Sequence, residues 1–283
     1  MEFVKLREMG KDIRLVITDM DGTLLDSSKQ ISRRNREAIE KVRDRQIGFT
    51  ICTGRIPTMI EYYVNTLDIH IPVVAANGAV VWDPDTKTPL YDVAIDPVQA
   101  EVLMDFCRFH GMDYSALTLG ASYFSRNSVR IKRFEKYNEI AEANGEERMR
   151  LEYLDDGHAC LRDKKIYKML IYELEPGQQE LAEGFLEKLS GMAYTSSDAK
   201  LWDISASGIN KGTGLMEAAR IMGLEKKNVC AFGDFYNDVS LMETAGIPVA
   251  MGNGCELIKE KAIYVTKTND EDGVADAIEK LLL

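Results

Sequence analysis

Four polar clusters, each set at the end of a short apolar run or at a helix start, carry the chemistry this sequence can do. The first is Asp19-Met20-Asp21-Gly22-Thr23-Leu24, directly after the β-branched run RLVIT at 14–18. Such a run suits a strand buried on both faces, and open α/β sheets bind ligands at the carboxyl ends of their strands. Two carboxylates there carry a desolvation cost that a hard cation such as Mg²⁺ would offset, and Gly22 permits a sharp turn after them. Taken alone, the segment also reads as a polar Asp-Gly turn or half a calcium loop. The second cluster, Thr53-Gly54-Arg55, offers a hydroxyl and bare backbone N–H groups to a phosphate oxygen, and reads equally as a glycine-containing turn with a surface arginine. The third is Lys211 in Gly208-Ile209-Asn210-Lys211-Gly212, at a helix start where a cation opposes the helix dipole. A bound anion would explain it, as would simple solvation. The fourth, Gly233-Asp234-Phe235-Tyr236-Asn237-Asp238, follows the apolar run 229–232 and supplies the further carboxylates a metal site near Asp19 would need. Its other reading is an acidic first turn on the next helix.

These clusters need a frame. Strand-like runs at 14–18, 49–52 and 73–76 alternate with helical patterns that begin at the N-cap Ser32 and near Pro57, the first stopping at Gly48. The grammar returns at the C-terminal end: a helix with Leu215, Ala219 and Met222 on one face ended by Gly223, strands at 229–232, 247–250 and 263–265, and helices at 237–244 and 272–282. The two ends read as halves of one doubly wound parallel sheet, which would bring all four clusters to one crevice. Between them, a Pro/Asp turn at 83–85 leads into helices at 98–110, 129–144 and 178–189. Strand-like pieces lie near Tyr114 and Tyr123, at 166–172, 192–195 and 201–204, the pattern of an inserted α+β domain.

Composition narrows the function classes. With 35 Lys+Arg against 46 Asp+Glu, a net charge of −11 argues against a nucleic-acid polymer as partner. The longest apolar candidate, 71–82, is broken by Asn77 and Gly78 and falls short of the ~18 residues of a membrane span. The N-terminal stretch lacks the apolar core of a signal peptide, so the expected compartment is the cytoplasm. Five scattered cysteines without a CxxC pair disfavour disulfides and thiolate zinc and read mostly as core residues, and the three histidines lie outside the clusters.

As an ordered set, Asp19-Met20-Asp21-Gly22-Thr23-Leu24, Thr53-Gly54-Arg55, Lys211, and Gly233-Asp234 with Asn237-Asp238 resembles the haloacid dehalogenase superfamily, within it the Cof-type phosphatases of subclass IIB. Asn77-Gly78-Ala79 and Ala250-Met251-Gly252-Asn253 are similar to further signatures of that family. The resemblance implies a Rossmann-like α/β core over 1–83 and 206–283 and an α+β cap domain, governing substrate choice, over 84–205. It implies a Mg²⁺-dependent phosphatase for small phosphorylated metabolites, such as sugar phosphates, nucleotides or phosphorylated cofactors, as a monomer or weak homo-oligomer. Asp19 would form an aspartyl phosphate, and Asp21 would serve as acid and base. Mg²⁺ would sit on Asp19, the backbone carbonyl of Asp21, and Asp234. Thr53, the Met20 and Gly54 N–H groups, Lys211 and Asn237 would bind the phosphoryl oxygens. Asp238 would orient Lys211 or the metal's ligands, and Arg55 and Asn77 are candidate substrate contacts. A phosphomutase of the same subclass and a non-catalytic regulatory module share these motifs and stand as alternatives.

Overall fold

The computed structural model describes residues 2–154, 157–198 and 200–283. The chain divides into two compact units: one holds the described residues up to Thr53, Leu67–Leu90 and Asn210–Leu283, the other Gly54–Thr66 and Tyr91–Ile209.

The first unit is built on a parallel sheet in the order β14-β13-β12-β1-β2, with β1 Leu15–Thr18, β2 Gly48–Ile51, β12 Val229–Gly233, β13 Ile247–Ala250 and β14 Tyr264–Val265. β1 has no polar side chain before Thr18, and Leu15, Val16 and Ile17 are wholly buried, each aliphatic side chain contributing roughly 1.5–3 kcal/mol. From β1 the chain moves one way to β2 and later returns on β1's other side through β12, β13 and β14, so the winding reverses between β1 and β12. Thr18 pairs with Phe232, so the two strands end together and Asp19 and Asp234 emerge at the same edge. A second small sheet joins β3 (Val73–Ala75), β4 (Val80–Asp83) and β5 (Thr88–Asp92). The helices are α1 Glu2–Gly10, α2 Arg33–Asp44, α7 Lys211–Met222, α8 Val239–Thr244, α9 Glu256–Lys261 and α10 Gly273–Leu281.

Ser32 caps α2 as its sequence suggests, accepting from the Asn35 N–H. Gly48 is not the stop of that helix. Gln46, in the left-handed region at φ 61, and Ile47 donate to the carbonyls of Arg43 and Val42, which closes α2 earlier and frees Gly48 to open β2. Unanticipated elements are α1, β8 (Arg150–Tyr153), α9 and the hairpin of β4 and β5, whose turn is the Asp83–Asp85 segment, with Asp83 accepting from the N–H groups of Asp85 and Thr86.

The second unit carries a six-stranded sheet, β10-β11-β9-β6-β7-β8, with β6 Asp113–Leu117, β7 Ala121–Phe124, β9 Lys168–Tyr172, β10 Met192–Asp198 and β11 Leu201–Ala206. All its pairings are antiparallel except β7 with β8. Its helices are α3 Glu61–Thr66, α4 Pro97–Phe109, α5 Ile131–Ala143 and α6 Gln178–Leu186. Strand alternation sends Tyr114, Ala116, Met169, Ile171, Trp202 and Ile204 into one core with Leu103, Cys107 and Ala182 of α4 and α6. Phe106 and Phe185, partly buried, stack against that core with centroids 3.8 Å apart. At alternate positions Ser115, Lys168 and Asp203 are polar and buried as well, beside the apolar Leu117 and Leu170. Among the described residues, no helix is long and apolar enough to cross a membrane.

Candidate active site

Asp19 extends the β1 ladder by one bond, its N–H donating to the Phe232 carbonyl, and the chain then turns through bonds from Thr23 and Leu25 to the Met20 carbonyl. Gly22 sits in this turn at φ 89, and a Cβ there would lie 2.5 Å from Asp234 Oδ2. The glycine is therefore needed twice, for the backbone conformation and for the room Asp234 occupies. Asp234 follows β12 and accepts from the Thr23 hydroxyl at 2.6 Å. Asp238 turns back on the same loop, its Oδ2 accepting from the N–H groups of Asp234 and Phe235.

Lys211 is the first residue of α7, whose N-cap Asn210 accepts from the Thr213 N–H in a capping box. Gly212 lets α7 lie close on α8, since a Cβ there would meet the Ser240 carbonyl oxygen at 2.5 Å. The lysine is fully buried, and its Nζ donates to Asp19 Oδ1 and Asp238 Oδ1, both at 2.6 Å.

Three buried carboxylates, Asp19, Asp234 and Asp238, each offer an oxygen within 4.8 Å of the others. Against them, among the described residues, stands the ammonium of Lys211. Burial pushes Asp19 up to about 8, with Lys211 opposing and Asp238 and Asp234 adding. Burial, then Asp238, raise Asp234 to about 7, against Thr23 and Lys211. Burial pulls Lys211 down, yet Asp19 and Asp238 outweigh it, so the net shift is upward and the ammonium is kept.

The donor set fits a hard divalent cation. Both Asp238 oxygens accept hydrogen bonds, whereas Asp19 accepts from Lys211, and Asp234 from Thr23, at Oδ1. The nearby Cys52, its Sγ 3.9 Å from the Lys211 carbonyl oxygen, has its thiol pKa raised by burial and is no thiolate ligand.

The other sequence-derived residues divide between the units. In the first, Thr53 at the end of β2 donates its N–H to Val74 and accepts from the Asn77 N–H. Asn77, left-handed at φ 54, accepts from the Asn237 amide at 3.2 Å, so Thr53, Asn77 and Asn237 form a chain. The Met20 side chain is wholly buried. Asp21 is partly exposed and paired with Lys29 at 2.8 Å. Gly54 and Arg55 belong to the second unit. There Arg55 lies buried over the rings of Tyr63 and Tyr137, 5.2 and 4.6 Å from their centroids, and Lys168 donates to the Gly54 carbonyl. Sequence reasoning missed the contacts of Thr23 with Asp234 and of Lys29 with Asp21. Thr23 stood inside a quoted motif, whereas Lys29 had no signal, because a left-handed residue (φ 62) in the Asp26–Gln30 turn aims it.

The haloacid dehalogenase-like hydrolase family profile matches residues 16–278. The chain is 30% identical to the 5-amino-6-(5-phospho-D-ribitylamino)uracil phosphatase YwtE of Bacillus subtilis (strain 168), covering 95% of this chain and 98% of the relative. A second phosphatase of that name and organism, YcsE, is 29% identical over 96% and 97% of the two chains. A solved haloacid dehalogenase-like hydrolase from B. subtilis superposes with a TM-score of 0.83 at 28% identity, covering 95% of this chain and all of the other. The chain belongs to the haloacid dehalogenase-like hydrolases, in their Cof-type phosphatase group, and is a phosphoric monoester hydrolase.

Proposed function

We propose that this enzyme hydrolyses small phosphate monoesters with Mg²⁺ through an aspartyl phosphate on Asp19. The observation that carries the reading is the buried Lys211 ammonium joining Asp19 to Asp238, with Asp234 close enough to share a cation. Asp19, Asp234 and the backbone carbonyl of Asp21 would hold Mg²⁺, whose charge neutralises the carboxylates and the phosphoryl oxygens.

In the first step the Asp19 carboxylate attacks phosphorus as the bond to the ester oxygen breaks, and the Asp21 carboxyl gives that oxygen its proton. In the second, the Asp21 carboxylate takes a proton from water while the water oxygen attacks phosphorus. The bond to Asp19 then breaks, releasing phosphate and restoring the carboxylate. Thr53, the Met20 and Gly54 N–H groups, Lys211 and Asn237 bind the transferring oxygens, and Asp238 orients Lys211. The second unit acts as the cap that reads the leaving group, with Arg55 and Asn77 as substrate contacts. The reading is of a cytoplasmic monomer or weak homo-oligomer acting on sugar phosphates, nucleotides or phosphorylated cofactors.

Phosphate release from a panel tests it: sugar phosphates, nucleotides, pyridoxal phosphate, p-nitrophenyl phosphate and the relatives' ribitylaminouracil phosphate, in Mg²⁺ and in EDTA. Metal-dependent release from at least one is expected. Sugar-phosphate isomerisation with little free phosphate would replace this reading with a mutase, and silence across the panel would refute it.

A further inference from the structure

The second unit contains a buried ion pair that the reaction above does not use. Lys168 opens β9 and Asp203 lies on the adjacent β11, with 6% and 2% of their surface exposed and Nζ 2.8 Å from Oδ2. Burying two charges is costly, and an apolar pair of the same volume often serves stability as well, so stability alone is a poor account of the pair. Its geometry offers a better one. The same Nζ donates to the Gly54 carbonyl at 2.9 Å.

Gly54 follows Thr53, and the chain passes from the first unit to the second at the bond between them. Thr53 is fixed within the first unit by its bonds to Val74 and Asn77. Gly54 has the conformational freedom of any glycine, and Lys168 anchors its carbonyl.

We propose that Lys168, held in place by Asp203, is a positioning residue for phosphoryl binding. By fixing the Gly54 carbonyl it sets the Gly54–Arg55 peptide plane and removes the rotation about the Gly54 Cα–C bond, which steadies the adjoining Thr53–Gly54 plane, held at the Thr53 carbonyl by the Asn77 N–H, and with it the Gly54 N–H that grips the transferring group. The inference rests on the phosphatase reading and extends it to residues that touch no reacting atom.

The test compares wild type, Lys168→Met, Lys168→Arg and the double variant Lys168→Met/Asp203→Leu, measuring kcat, KM, inhibition by inorganic phosphate and melting temperature. Lys168→Met leaves Asp203 buried without its lysine and melts lower, whereas the double variant removes both charges and regains most of the loss. The double variant is expected to keep roughly tenfold weaker inhibition by phosphate and a KM raised in parallel, because a slightly misplaced donor loses much of its effect. Lys168→Arg, which keeps a cation and donors, is expected within about threefold of wild type. A folded double variant with wild-type inhibition and KM overturns the proposal, as does a folded Lys168→Arg as impaired as the double variant. Should the double variant not fold, Lys168→Gln, neutral and too short to span both partners, decides by the same constants: about tenfold weakening supports the role and no change overturns it. Wild type that neither releases phosphate from any ester nor binds inorganic phosphate overturns the phosphatase reading and this proposal together, whereas an active wild type matched by the double variant overturns only the proposal.

Discussion

Each unit buries a lysine against carboxylate, and the two lysines differ in what surrounds them. Lys211 in the first unit joins two carboxylates, each at 2.6 Å, with a third beside them, whereas Lys168 in the second pairs with Asp203 and a backbone carbonyl at 2.8 and 2.9 Å. The first cluster carries more negative charge than its lysine can cancel, at the carboxyl edge where the sheet reverses its winding. On the proposed reading a cation would complete this place, and with the lysine it would draw phosphate. In the second pair an ammonium meets a carboxylate, so the pair holds backbone in place. Burial alone does not distinguish the two lysines; the number of carboxylates around each does.

Breaking the first cluster gives the largest effect. Lys211→Met leaves Asp19 and Asp238 buried without their ammonium, and is expected to lower stability by about 3 kcal/mol and kcat by about 10²-fold or more. Thermal melting and phosphate release measure the two. If the variant melted and turned over like wild type, the distinction between the two lysines would fail. The Lys168 variants come next, with a lower melting temperature for Lys168→Met and a smaller loss, in phosphate inhibition and KM, for the double variant.

The smallest effect sharpens the comparison from the other side, because the second unit also buries His158, whose Nδ1 lies 3.6 Å from Asp105 Oδ1 and whose burial outweighs that carboxylate. The Tyr114 hydroxyl lies 2.7 Å from His158 Nε2, and burial lowers the His158 pKa. A folded pKa below the unfolded value of about 6.5 gives stability that is present above that pH and lost as pH falls toward the folded value. Between pH 7 and pH 5 wild type is expected to lose about 2 °C more in melting temperature than His158→Gln. Equal losses would show that His158 is not held neutral.

Much of the first unit could be read from sequence because its signals are local. A β-branched run followed at once by Asp19 or Asp234 places an ionisable group at the end of a buried strand, and no long-range information is needed to notice it. Ser32 marks a helix start for the same reason. Gly48 misled because helix closure depended on Gln46 adopting a left-handed conformation, which a glutamine does not announce. Long-range register hid the rest. In IYKMLIY, Lys168 interrupts an apolar run, and nothing in the run names its partner. Only the pairing of β9 with β11 brings Asp203 to it, and only the path of the chain brings Gly54. Lys29 and Asp21 are eight positions apart with a turn between them, and the direction of that turn is set by one left-handed residue.

The central claim is that the carboxylate held by Lys211 becomes covalently bound to phosphorus. Mass spectrometry of enzyme quenched in acid during turnover tests it most directly, with peptide mapping of any adduct and Asp19→Asn as the control. The account predicts one phosphoryl group on the peptide carrying Asp19 in wild type, and none in Asp19→Asn, which should keep its fold and lose at least about 10³-fold in turnover. Phosphate released at the wild-type rate by Asp19→Asn, or an adduct mapped to another residue, would contradict it.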